Sequence, residues 1–194
     1  GLIAMASSLD QIGPITKNVY DSALLMNVIA GRDLLDSTSS PKAVPDYTSY
    51  LQTKLHNTKI GVPKEFFSQG LDPAVKELIE QSINKFKLLN AEVKEIELPY
   101  SKYAVPSYYI IVPCEVSANL ARYDGIKYGL SEEANNLIDV YLRTRAKGFG
   151  NETKRRIMLG TFALSSGYFD AYYLKAQKVR SLIKKDFDDA FKEV

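Results

Sequence analysis

The sequence contains no tryptophan, one cysteine and one histidine in 194 residues. A lone cysteine cannot close an internal disulfide, which suits a reducing compartment and a cytoplasmic location. One Cys and one His also fall short of a structural Cys/His zinc site, so no metal ligand is assigned. A Ser-His-Asp triad would have to be assembled on His56, which sits in a polar, loop-like stretch and reads as a solvated surface residue. Charge of one sign is lacking as well. The balance of 25 Lys and Arg against 23 Asp and Glu leaves +2, and no Lys/Arg stripe interleaved with aromatics marks a nucleic-acid surface. No run approaches the about 20 apolar residues of a bilayer span, and residues 1–5 are too short and uncharged to read as a signal peptide, so no membrane association is expected. A phosphate-binding loop, an internal repeat and a low-complexity tract are all missing.

What is present is a folding composition, 45% hydrophobic and 25% charged, neither disordered nor membranous. After an extended start, a well-buried helix is expected over residues 19–30, with Asn18 as N-cap and Gly31 as its stop. Residues 33–57 carry Pro41, Pro45 and many Ser and Thr, the composition of a surface loop. Residues 58–98 form the clearest unit. A buried strand at 59–63 closes on Pro63, and Asp72 and Pro73 open a helix as N-cap and first residue. Val75, Leu78, Ile79, Ile83, Phe86 and Leu89 follow helical spacing, and an edge-like strand ends the unit at 92–98. Such a unit implies a parallel crossover within a sheet. From residue 101 onward the pattern is helical, in segments near 107–124, 131–146 and 151–192 divided by glycines. The expected class is therefore α/β, a strand-helix-strand unit followed by a helix-rich half, in a single partial domain spanning residues 1–194.

The stretch from 154 to 180, KRRIMLGTFALSSGYFDAYYLKAQKVR, departs from a plain amphipathic helix. Gly160 and Gly167 each cost roughly 1 kcal/mol against Ala inside a helix, so a close backbone approach or a bend is expected there. Arg155 and Arg156 cannot both face a core, but one could line a polar cleft and grip a carboxylate with its guanidinium fork. The ordinary alternative is two solvated arginines.

This stretch, together with GLIAMASSLDQIGPIT (1–16), DSTSSP (36–41), IGVPKEFF (60–67), PSYYII (106–111), NLARYDGIKYG (119–129) and GFGNETKRRIMLGTFALSSGYFDAYY (148–173), resembles the amidase signature family. Within it, the motifs and their order are similar to the A subunits of tRNA-dependent amidotransferases. The resemblance implies an amidase fold and a Lys with two Ser residues as the catalytic set, in a Gly/Ser-rich region. No GGSSGGS-like or GSDTGGS-like run occurs here, so no residue of the chain is expected to be catalytic and the sequence reads as an internal piece of a longer protein. It further implies a glutaminase subunit that feeds ammonia to partner subunits B and C in a heterotrimer. The partner, using ATP and magnesium, would amidate misacylated Glu-tRNA(Gln) or Asp-tRNA(Asn). In that family, positions matching Tyr108 and Arg156 line the glutamine pocket, the Arg pairing with the α-carboxylate and the Tyr hydroxyl adding a polar contact.

Other residues are expected to be structural. Cys114, in an apolar segment, reads as a small hydrophobe. Ser7 and Ser8 are expected to support the site from just outside it, with Asp10 anchoring their turn. Ser165 and Ser166 are expected to hydrogen-bond within a helix bend. Arg122 and Asp124, spaced i,i+2, do not face each other on a helix, so a turn is expected at Gly125. Arg143, Arg145 and Lys147 could touch tRNA or a partner subunit, but such a charge run reads first as a solvated face. Two other functions stay open at this point: an amidase of the same fold acting on another amide, and a noncatalytic helical interaction module with polar faces.

Overall fold

The computed structural model describes residues 3–54, 57–68 and 70–194; His56 lies outside them. Helix α1 (Val19–Ile29) starts at Asn18, whose side chain accepts from the Asp21 amide. Strand β1 (Lys59–Pro63), helix α2 (Pro73–Leu88) and strand β2 (Glu92–Ile96) follow. The second half holds α3 (Ala104–Leu120), α4 (Leu137–Gly148), α5 (Asn151–Leu164) and α6 (Lys175–Ala190), the last entered through a π-helical turn at Asp170–Leu174.

The strand-helix-strand unit forms as its punctuation dictates. Asp72 accepts from the amides of Ala74 and Val75, and Pro73 fills the first helical position where an N–H has no partner to lose. Helix α2 ends on Asn90 in the left-handed region, φ 65°. The Asn90 amide returns to the Lys87 carbonyl and the Ala91 amide to the Phe86 carbonyl, the paired bonds of a Schellman stop. The chain then enters β2, which pairs parallel to β1 in the register Lys59↔Glu92 to Pro63↔Ile96. The two halves join through α6 and the residues just after it: Asp186 accepts from the Tyr100 amide at 2.7 Å, and a Cβ at Gly61 would meet the Val194 side chain at 2.8 Å.

Two expectations need correction. Helix α1 is largely exposed: Ala23 is its only buried residue, because among the other elements it packs chiefly on the short 3-10 turn Tyr47–Gln52. Strand β1 is half-buried rather than buried, since β2 is its one hydrogen-bonded neighbour among the described residues. The bend expected within the helical segment 151–192 falls after Leu164, where Ser165 leaves helical geometry. Gly167 there adopts φ +89°, a conformation glycine reaches without the Cβ penalty.

The core lies in the helical half. Leu98, Val116, Thr144 and Cys114 are its fully buried large side chains, and α3 packs most extensively on α5. Elsewhere apolar side chains stay in contact with solvent, among them Leu78, Ile79 and Phe86 of α2. Together with Ile60 and Val62 of β1 and Phe66 and Phe67 of the 3-10 turn Lys64–Phe67, Ile79 and Phe86 line a groove of about 330 Å³. Faces of this kind do not suit a self-sufficient module with polar surfaces.

Candidate functional site

The α3–α5 contact starts from a missing side chain. A Cβ on Gly160 would lie 1.9 Å from the Pro113 carbonyl oxygen and 2.8 Å from the Ser117 Cβ, so only glycine lets the backbones come this close. Beside it the hydroxyls of Ser117 and Thr161 meet at 2.8 Å. Residue numbers rise together on both helices across these pairs, so α3 and α5 run in the same sense. Toward their N-termini, this packing sets Tyr108 opposite Arg156.

There the two residues singled out in the sequence touch. Arg156 donates from Nη1 to the Tyr108 hydroxyl at 3.0 Å, and its guanidinium carbon stands 5.9 Å from the centre of the Tyr108 ring. From the other edge, Nε donates to Glu152 Oε1 at 2.8 Å. Arg156 keeps 24% of its side chain exposed against 68% for Arg155; of the Arg pair, Arg156 is the shielded one and Arg155 faces the solvent. Arg155 binds the other oxygen of Glu152. The bond to Tyr108, then that to Glu152, raises the Arg156 pKa further above its ordinary value. The bond from Arg156 holds the Glu152 carboxyl below the usual carboxylate range. The Tyr108 hydroxyl, used as an acceptor, keeps its own proton available to donate.

The same helix α3 carries a second set of contacts on positions spaced to share a face with Tyr108. Glu115 accepts from the Ser8 amide at 3.1 Å and from the Ser8 hydroxyl. Asn119 donates to the Met5 carbonyl at 3.3 Å and accepts from Ser7 at 3.4 Å. Asp10 closes this turn by accepting from the amides of Met5 and Ala6, as expected. Ser7 and Ser8 are thereby fastened to α3. Glu152, Glu115 and Asn119 were not anticipated. For Glu152 a signal existed, since it precedes Arg156 by one helical turn; for the other two, more than a hundred residues from their partners in sequence, there was none.

Other candidates resolve into structural roles. Arg122 donates to Asn119 at 2.6 Å, and Asp124 accepts from the Ile126 amide at 2.9 Å, in a turn that reverses at Gly125 with φ +73°. Ser165 donates to the Phe162 carbonyl at 2.7 Å in the bend after α5; Ser166 lies in the same bend. Cys114 is buried, and that burial pushes its thiol up to about 11; a thiol this far above neutral pH is a poor nucleophile. Arg145 corrects the expectation of a solvated face: it donates at 2.8 Å to the carbonyls of Leu120 and Tyr123, satisfying the end of α3. Lys147 pairs with Glu132 at 2.6 Å. Among the described residues no group of three or more His, Cys, Asp or Glu could hold a metal ion, and no helix is long and apolar enough to cross a membrane. A cavity of about 720 Å³ lies at the far end of α3, lined by Ile3, Asn119, Arg122, Tyr123 and Tyr128. It contains neither Tyr108 nor Arg156, and its polar groups already serve the loop contacts just described.

The amidase family model matches residues 1–194. The chain is 60% identical over 194 residues to the A subunit of glutamyl-tRNA(Gln) amidotransferase from Microcystis aeruginosa, and equally so to that from Heliobacterium modesticaldum. Each alignment covers all of this chain and 40% of the relative. Among solved structures, the A subunit of glutamyl-tRNA(Gln) amidotransferase from Thermotoga maritima is similar at 38% identity and a TM-score of 0.71, covering 100% of this chain and 37% of that one. The peptide amidase of Stenotrophomonas maltophilia is similar at 26% identity and a TM-score of 0.63, over 92% of this chain and 37% of that one. The chain thus spans about 40% of the length of the curated relatives it matches.

Proposed function

The chain belongs to the amidase family, and on that premise we propose that it is part of the glutaminase subunit of a tRNA-dependent amidotransferase, a carbon-nitrogen ligase with glutamine as amido donor. The identity to amidotransferase A subunits supports this, and one observation carries the assignment of the site. Tyr108 and Arg156, 48 residues apart, meet at 3.0 Å across two packed helices.

Glutamine presents a carboxylate and an ammonium at one end and the scissile amide at the other. A guanidinium fixed at one end of a cleft sets how far the amide carbon reaches, and so orients it for attack. Arg156 is held at its Nε edge and on Nη1, which leaves Nη2 and the second Nη1 proton for a carboxylate. In the acyl transfer that family membership implies, a serine hydroxyl adds to the amide carbon, the C–N bond breaks and ammonia departs with a proton. Water then hydrolyses the ester to glutamate. The sequence shows no counterpart of that serine or of its Lys and Ser partners, so the role proposed for this chain is binding and orientation. Ammonia would pass to partner subunits B and C of a cytoplasmic heterotrimer. ATP and magnesium are assigned to the partner that amidates the misacylated tRNA.

The test is ammonia release from glutamine by the complex built with the full-length protein. Arg156→Ala is expected to raise KM for glutamine about 10- to 100-fold with the fold intact. An unchanged KM would refute the clamp. The 194-residue chain alone is expected to release no ammonia in the same assay.

A further inference from the structure

Resting on the carboxylate-clamp reading given above, we propose that Glu152 is the positioning residue of that clamp, fixing the Arg156 guanidinium through Nε so that its Nη edge faces the substrate. An arginine side chain has many rotamers, and one hydrogen bond leaves the guanidinium free to swing about it. Two anchors on different edges define its plane. Tyr108 supplies one, from α3, at 3.0 Å on Nη1; Glu152 supplies the other, from α5 itself, at 2.8 Å on Nε. The contact runs between positions i and i+4 of one helix, so it survives any shift of α3 that would loosen the tyrosine.

Glu152 is in turn held. Its second oxygen binds Arg155, which fixes the carboxylate orientation and compensates its charge. The three side chains together carry +1, leaving the Arg156 charge for the incoming carboxylate. Glu152 also sits in the first turn of α5, where the helix dipole favours the ionised acid. The opposite role, in which Glu152 occupies the substrate's place on Arg156 and competes with it, would require the carboxylate to approach the Nε edge. That edge is turned toward α5's own first turn, whereas the Nη edge lies beside the Tyr108 hydroxyl.

The experiment measures ammonia release against glutamine concentration for Glu152→Ala, Glu152→Gln and Arg156→Ala in the full-length protein within its complex, with Tm as the check on folding. Glu152→Ala is expected to raise KM about five- to tenfold with kcat within about twofold, the pattern of lost substrate positioning at the binding end. Glu152→Gln keeps an acceptor oxygen for Nε and is expected to stay within about twofold of the parent KM. A KM that is unchanged or lowered in Glu152→Ala would overturn the positioning role, as would equal losses in the Ala and Gln variants. Arg156→Ala separates the two levels. If it raises KM while Glu152→Ala does not, the positioning role alone fails; if it leaves KM unchanged, the clamp and the positioning role fall together.

Discussion

Tyr108 and Arg156 each look unremarkable alone: an exposed tyrosine and a partly exposed arginine. Their meaning comes from the bond between them. A hydrogen bond to a charged group contributes about 1.5–3 kcal/mol where solvent is excluded, and less where, as here, solvent reaches both partners. Tyr108→Phe keeps the ring beside the guanidinium and removes only the hydroxyl. It is therefore expected to raise KM for glutamine roughly three- to tenfold, a smaller effect than Arg156→Ala, measured by the same ammonia assay in the full-length protein. Parent-like KM would mean the hydroxyl contacts no substrate. The Arg156–Glu152 pair stays ionised at neutral pH. The Glu152 carboxyl lies below its ordinary range, so whatever the pair contributes is present above that range and is lost only as pH falls through the lowered folded value. Clamping at neutral pH is accordingly expected to be insensitive to small pH changes.

The element that makes the site is the close crossing of α3 and α5, and Gly160 sets it. Helix propensity alone would favour Gly160→Ala by roughly 1 kcal/mol. The added methyl would instead fall 1.9 Å from a backbone carbonyl oxygen, which no side-chain rotation can relieve. Overpacking of this kind costs about 1–3 kcal/mol or more, so steric repulsion wins and Gly160→Ala is expected to lower the stability of the full-length protein in urea unfolding. An unchanged or raised midpoint would contradict the geometry. Much of this level was legible in the sequence: the two costly glycines marked the close approach and the bend, and Asp72-Pro73 marked the start of α2. The exposure of α1 was not. Its apolar residues surround the helix, and a helix apolar on all sides reads as buried, yet burial depends on neighbours that its own sequence does not describe. Arg145 was misread for a related reason: its acceptors are the carbonyls of Leu120 and Tyr123, and unpaired carbonyls at a helix end leave no mark in side-chain pattern.

At the scale of the whole molecule, the proposed role makes the chain one side of a pocket. It carries a helix pair that presents Arg156 and Tyr108, a turn fastened to α3 through Ser7 and Ser8, and a two-stranded parallel sheet with an apolar groove along its flank. The family was legible because its motifs lie along the whole sequence in order, and the matched model spans residues 1–194. The resemblance implied that Tyr108 and Arg156 line one pocket; the hydrogen bond between them and the Glu152 contact on Nε are findings of the structure. The central claim is that this side of the pocket reads an α-carboxylate. The most direct measurement compares kcat/KM for ammonia release from glutamine and from its analogue carrying an uncharged amide in place of that carboxylate, using the complex with the full-length protein. A charge-assisted clamp predicts a loss of about 10- to 100-fold for the analogue, largely abolished by Arg156→Ala. Equal turnover of both substrates by the parent enzyme would contradict the account.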